Sequence, residues 1–161
     1  MTEPAPVSII PEPPRGVSTG RVDDKGRLKL SAAVRDYLAA LEEKTLFVTS
    51  LDLRIIRIYP IAVWRDNERL ISENTDSVEE AEELSFLAQD VGQEVKMDAE
   101  GRVLLPADLR RMLNLENQPV YMNGFKGHIN VYSKGMYEQQ RQRARERALE
   151  KMRRMEQKGL K

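Results

Sequence analysis

The sequence predicts an α+β, β-rich fold in which one small unit occurs twice. Three observations carry that expectation. Residues 22–35, "VDDKGRLKLSAAVR", return in altered form at 97–110 as "MDAEGRVLLPADLR". Each version is followed by the same order of patterns, a short amphipathic helix and then two runs rich in β-branched and aromatic residues. Aligned without gaps, residues 23–38 and 98–113 are identical at Asp23/Asp98, Gly26/Gly101, Arg27/Arg102, Leu30/Leu105, Ala32/Ala107, Arg35/Arg110 and Leu38/Leu113, seven of 16 positions, more than turn composition alone produces. A unit of about 50 residues buries little core by itself, so the copies are expected to complete one another.

The chain opens with "MTEPAPVSIIPEPPRG", which holds five of the eight prolines. Each proline lacks an amide donor and restrains its predecessor, so residues 1–14 are expected to form an extended or disordered arm outside the fold. From Val22 onward, Val22, Leu28 and Leu30 alternate with polar residues around Asp24-Lys25-Gly26. That pattern predicts a hairpin with a positive φ at Gly26 and a polar side carrying Arg27 and Lys29. "SAAVRDYLAAL" predicts a helix capped by Ser31 with Val34, Tyr37, Leu38 and Leu41 on one face, and "TLFVTS" with "RIIRIYP" predicts a strand pair.

Two helical patterns come next, "PIAVWRDNERLISEN" and "SVEEAEELSFLAQDVG". The second is expected to open on a capping box from Ser77 to Glu80 and to place Ala81, Leu84, Leu87, Ala88 and Val91 on one face. Its Glu79, Glu80, Glu82 and Glu83 then form a solvated outer face that complements the helix dipole. In the second copy, "VKMDAEGRVLLP" reads as a hairpin and "ADLRRMLNL" as a helix with Pro106 near its first turn. "PVYMNGFKGHINVYS" reads as two strands turning at Asn123-Gly124 or Lys126-Gly127. The tail is a strong helix former with a thin stripe of Tyr137, Ala144, Ala148, Met152 and Met155. The expected division is an arm at 1–14, a first module at 15–64, an acidic helical linker at 65–94, a second module at 95–137 and a basic helical tail at 138–161.

Composition narrows the function. The chain has no cysteine, which excludes disulfides, thiolate nucleophiles and cysteine zinc sites and suits a reducing compartment. No apolar run approaches the roughly 20 residues that span a bilayer, and the N-terminus has acids and prolines where a signal peptide has a basic and then an apolar segment. A cytoplasmic protein without a membrane partner is therefore expected. Twenty-six bases balance 26 acids, but the balance hides separated fields. Residues 65–94 hold ten acids and two bases, whereas 138–161 hold nine bases and four acids.

Catalysis has little to work with. His128 is the only histidine and falls in a predicted strand, where a packed residue is the ordinary outcome. No phosphate-cradling glycine loop, HExxH or nucleophile elbow occurs. The carboxylates of the acidic helix carry no signal of two distinct environments across a cleft. We expect no enzyme, cofactor, metal or small-molecule substrate. Binding is better supported. Both copies carry Asp, three residues, then Arg: Asp23 with Arg27, and Asp98 with Arg102. The acid at the start of the turn can accept from turn amides or pair the arginine, while the arginine can fork onto phosphate or guanine edges. A two-stranded ribbon is also narrow enough to enter a major groove.

"RGVSTGRVDDKGRLKLSAAVR", then "IYPIAVW", then "VKMDAEGRVLLPADLR" resemble the MraZ family, bacterial regulators built from two AbrB-type modules. The resemblance covers roughly residues 15–137. It implies tandem modules interlocked as an intramolecular swapped-hairpin β-barrel with flanking helices, and ring-shaped homo-oligomers. It also implies binding to repeated double-stranded DNA sites upstream of the division and cell-wall gene cluster, hence nucleoid association. The double Asp-x-x-x-Arg motif would be the DNA-facing element. That makes Arg21, Lys25, Arg27, Lys29 and Arg102 the expected DNA-binding residues, with Asp23, Gly26, Asp98 and Gly101 supporting the turns.

The chain departs from the family pattern in several places. Ser31 stands where the family usually has proline. Glu100 occupies the place of Lys25, so the second turn is expected to bind DNA less strongly. The proline-rich arm and the basic tail lie outside the resemblance. The alternative function is an AbrB-type interaction or scaffold module, antitoxin-like, whose turns meet protein.

Overall fold

A computed structural model describes residues 10–74 and 76–161. The first copy contains β1 (Ser18–Val22), β2 (Arg27–Lys29), α1 (Ala32–Ala39), β3 (Thr45–Thr49) and β4 (Ile56–Pro60). The central helices are α2 (Ile61–Ser72) and α3 (Val78–Val91). The second copy contains β5 (Gln93–Lys96), β6 (Arg102–Leu104), α4 (Ala107–Leu113), β7 (Pro119–Phe125) and β8 (His128–Ser133), and the tail forms α5 (Lys134–Arg145) and α6 (Ala148–Glu156).

The strands form one antiparallel sheet in the order β5-β3-β4-β8-β7-β1-β2-β6. That order interlocks the copies: β1 of the first pairs with β7 of the second, β5 of the second with β3 of the first, and β2 with β6. The end strands β5 and β6 are joined by the second turn, where the Asp98 amide donates to the Arg102 carbonyl at 2.9 Å, so the eight strands nearly close into a barrel. Closure of this kind leaves little exposed edge. The swapped-hairpin barrel implied by the resemblance is the observed architecture.

Alternation builds the interior. Val22, Leu28, Leu30, Val103, Leu105, Val120, Met122, Ile129 and Val131 are buried in one cluster, and Val34, Tyr37 and Leu38 of α1 and Leu109 of α4 cap it. Ser31 caps α1 through a 3.4 Å bond from the Val34 amide, so the serine does in this chain what a proline's fixed φ would otherwise do for the helix start. A second cluster lies outside the barrel, where Trp64 of α2 packs on Phe47 and Tyr59 at centroid distances of 4.8 and 5.0 Å, with Ala88 of α3 beneath.

Five details correct or resolve the sequence reading. The Ser77 side chain makes no capping bond, so α3 starts without the predicted box and relies on Glu79 and Glu80 in its first turn. Leu84 is exposed and only Ala88 and Val91 of the predicted face are fully buried, because α3 meets the body of the fold at its C-terminal half. The β7–β8 turn falls at Lys126-Gly127, both at positive φ, while Gly124 stays inside β7. The tail is two helices, broken by extended Glu146 and left-handed Arg147. The arm is not wholly outside the fold, since a Cβ on Gly124 would collide with Pro13; its residues 1–9 lie outside the described residues.

Candidate nucleic-acid interface

Both turns are built by the same bonds. In the first, Asp23 Oδ1 accepts from the backbone amides of Lys25 and Arg27 at 2.9 Å each, and Oδ2 accepts from Arg27 Nε at 2.8 Å. In the second, Asp98 accepts from the amides of Glu100 and Arg102 and from Arg102 Nε at the same three distances. The aspartate therefore does both jobs at once, closing the turn and holding the arginine. The Arg27 and Arg102 amides lead the causes that keep the Asp23 and Asp98 carboxyls below the usual carboxylate range, while the paired Asp98 raises Arg102. Gly26 and Gly101 take φ of +80° and +76°, as the tight turn requires.

Each glycine also lies against the other copy. A Cβ on Gly26 would land on the Arg110 guanidinium of α4, and one on Gly101 would come within 2.7 Å of Arg35 Cδ of α1. The backbone repeats the exchange, with the Leu30 amide donating to the Gly101 carbonyl at 3.2 Å and the Leu105 amide to the Gly26 carbonyl at 2.9 Å. Arg35 and Arg110 thus brace the opposite turn. Their identity in the repeat was the available signal, but local pattern says nothing of which turn each helix meets.

Register brings the cations together. Val22, Leu28 and Val103 point into the barrel, so their neighbours Arg21, Arg27, Lys29 and Arg102 point out. Arg21 sits opposite Lys29, and Lys29 opposite Arg102, giving three cations abreast on β1, β2 and β6. At the usual strand spacing the row spans about 10 Å, close to the roughly 12 Å width of a major groove. A shallow cavity of about 340 Å³ is lined by Arg21, Asp23, Arg27, Lys29 and Arg102 together with Asp24, Glu100 and Asn117. Lys25 stands apart at the exposed tip of its turn.

Arg21 is anchored by a 2.9 Å bond from Nη2 to the Asn117 carbonyl, a contact with no signal in the sequence. Among the described residues, Lys25 and Lys29 have no carboxylate within salt-bridge distance. The Arg27 side chain is bonded, among the described residues, only through Nε, which leaves both terminal nitrogens without an acceptor there. Arg102 differs: Glu100 Oε2 takes its Nη2 at 3.1 Å.

His128 lies away from this face. It is buried, with Nε2 3.0 Å from Asn130 Oδ1 and its ring 4.8 Å from that of Tyr59, and burial pushes its pKa down to about 4. At neutral pH it is an uncharged packed ring. No helix among the described residues is long and apolar enough to cross a membrane.

Comparison with known proteins identifies the family. The chain is 31% identical over 125 residues to a transcriptional regulator MraZ of Acidobacterium capsulatum, covering 78% of this chain and 85% of the relative. The chain belongs to the MraZ family. A MraZ of Koribacter versatilis is 32% identical over 73% of this chain and 80% of its own length, and one of Thiobacillus denitrificans is 29% identical over 78% and 84%. All three are named transcriptional regulators. The family model described as "MraZ protein, putative antitoxin-like" matches residues 92–158. That match takes the likeness past residue 137, the expected limit of the resemblance, into the basic tail.

Proposed function

We propose that this chain is a sequence-specific DNA-binding regulator acting through the face formed by β1, β2, β6 and the two Asp-x-x-x-Arg turns. The supporting observation is the row Arg21, Lys29 and Arg102, drawn from both copies and set directly opposite one another. Like charges in directly opposed positions destabilise a sheet, and nothing in the core calls for them, so an anionic partner accounts for the row best. Arg27 adds a fork held by Asp23 with both terminal nitrogens available to a phosphate or a guanine edge. Asp23 and Asp98 orient, Gly26 and Gly101 permit the turns, and Lys25 supplies phosphate attraction beside the fork.

The partner is double-stranded DNA carrying repeated promoter sites of the division and cell-wall genes, bound by a ring-shaped homo-oligomer at the nucleoid. Linked weak contacts at repeated sites act at high effective concentration, which suits a face whose four cations share their cavity with three carboxylates. The functional division follows the same lines, with modules at 15–64 and 95–137 binding and residues 65–94 and 138–161 serving assembly. The face holds no cofactor in this reading and performs no catalysis.

The test is fluorescence anisotropy on DNA from immediately upstream of this protein's own gene, with and without its tandem repeats, across a salt series. Binding that requires the repeats and is lost in Arg27→Ala, with oligomer mass unchanged, supports the reading. Undiminished binding by that variant, or its collapse into single chains, makes the turn structural and sinks it. The antitoxin-like reading draws on the near balance of charge in the cavity. A protein partner that competes for the turns, with no repeat-dependent DNA binding, would establish it instead.

A further inference from the structure

Among the described residues, two surfaces of opposite charge stay open in a single chain. The first is α6. Extended Glu146 and left-handed Arg147 turn it away from α5, whose Tyr137 is seated on Tyr121 of β7 at a centroid distance of 4.0 Å. No residue of α6 is buried, and its own-chain ties are local, such as Lys151 Nζ to the Arg143 carbonyl at 2.9 Å. Leu149, Met152 and Met155 repeat every three residues and are 54%, 43% and 50% exposed, among Lys151, Arg153 and Arg154. A helix of this length is marginal in water, so its apolar side calls for a surface.

The second is the groove between α2 and α3. A cavity of about 790 Å³ lies along it, with Leu70, Ile71, Ala81 and Leu84 as the apolar lining. Leu70 is 71% exposed and Leu84 36%. Glu73, Asp76 and Glu80 stand on the same lining. The fields match the shapes: residues 65–94 carry ten acids against two bases, and residues 138–161 nine bases against four acids.

We propose that α6 of one chain docks into the α2–α3 groove of a second copy, Leu149, Met152 and Met155 entering between the helices while the flanking arginines and lysines meet the groove's glutamates. A second copy is the fitting occupant because each chain offers both halves and satisfies neither. The contact is head to tail, so successive copies close into a ring when the rotation per step divides a full turn. Each chain makes it twice, once with its tail and once with its groove, and the charged part weakens with salt. The inference rests on the oligomer in the proposed function and is independent of DNA binding.

The chain has no cysteine, so single introduced thiols report unambiguously. Met152→Cys and Leu84→Cys are made in separate full-length chains, mixed and oxidised, and wild-type mass is read by light scattering. A two-chain cross-link severalfold more abundant in the mixture than with either variant alone is expected. Leu149→Glu with Met155→Glu should abolish it and lower the mass toward the single chain, leaving the β-sheet signal unchanged since α6 buries nothing in its own chain. An oligomer of wild-type mass with no mixed cross-link overturns the docking and spares the oligomer. So does a cross-link confined within the Met152→Cys/Leu84→Cys double variant, or tail-dependent binding to anionic lipid vesicles without the mixed cross-link. A wild-type chain that runs as a single copy overturns both the docking and the oligomer it rests on.

Discussion

The first and second turns differ by almost nothing in geometry and by a great deal in chemistry. Their five backbone and side-chain bonds agree to within a tenth of an ångström, because aspartate, glycine and arginine stand at the same offsets and each turn is braced by the other copy. Two exchanges separate them, Asp24 for Ala99 and Lys25 for Glu100, and only the second bears on the arginine. Lys25 leaves Arg27 two free terminal nitrogens, whereas Glu100 occupies one of those of Arg102. A surface pair of this kind contributes little stability, so Glu100 acts on availability far more than on folding. A duplicated scaffold can thus hold two arginines alike and still make one of them the better ligand.

The largest expected effect tests that inequality directly. Arg27→Ala should weaken repeat binding by roughly 10- to 100-fold, in the range of one good arginine–base contact, and Arg102→Ala by only a few-fold. Equal losses in titrations at matched salt would break the comparison. The braces come next. Gly26→Ala must leave a φ of +80° and displace the Arg110 guanidinium, which is 15% exposed and held by the Leu105 carbonyl and Glu116. Gly101→Ala displaces only the stem of Arg35, which is 48% exposed. Denaturant unfolding should show a loss of about 1–3 kcal/mol for the first and a smaller one for the second.

Glu100→Lys should sharpen the comparison by removing it. Freeing Arg102 Nη2 and restoring a cation at the tip should raise affinity severalfold and steepen the log–log salt slope by about one. A variant that binds no better would mean the second turn does not reach DNA at all. The smallest expected difference is zero. Asp23 and Asp98 are both held below the usual carboxylate range, chiefly by the amide of the partner arginine, so they should titrate together in an NMR pH series. A carboxyl whose folded pKa is lowered stabilises above its unfolded value, and that contribution is lost as pH falls through the folded value, so both turns should loosen together only below the usual carboxylate range. Separate titrations would show that the turns are not equivalent in solution.

Much of this was legible without coordinates. The repeat exposed Asp23, Gly26, Arg27 and their counterparts, and alternation alone sent Leu28 inward and Lys29 outward. Other features had no local signal. The tail breaks at Glu146 and Arg147 although neither is a helix breaker, and Ser77 has the right neighbours for a capping box yet makes no bond. Arg21 gained its place only when β1 fell beside β2 with Lys29 opposite, and Arg110 showed its role only when α4 was found under the first turn.

The sequence by itself determined the pieces governed by near neighbours: the positive φ at each glycine, the inward and outward alternation, the apolar face of α1, the duplication, and the lysine-for-glutamate exchange between the turns. Only the tertiary structure decided which strand lies beside which, and hence that β1 joins β7, β3 joins β5, and Arg21, Lys29 and Arg102 stand in one row. The reason is that bonds within a turn are chosen by residues a few positions apart. Strand partners are chosen by what both half-cores must bury, and neither half can bury it alone.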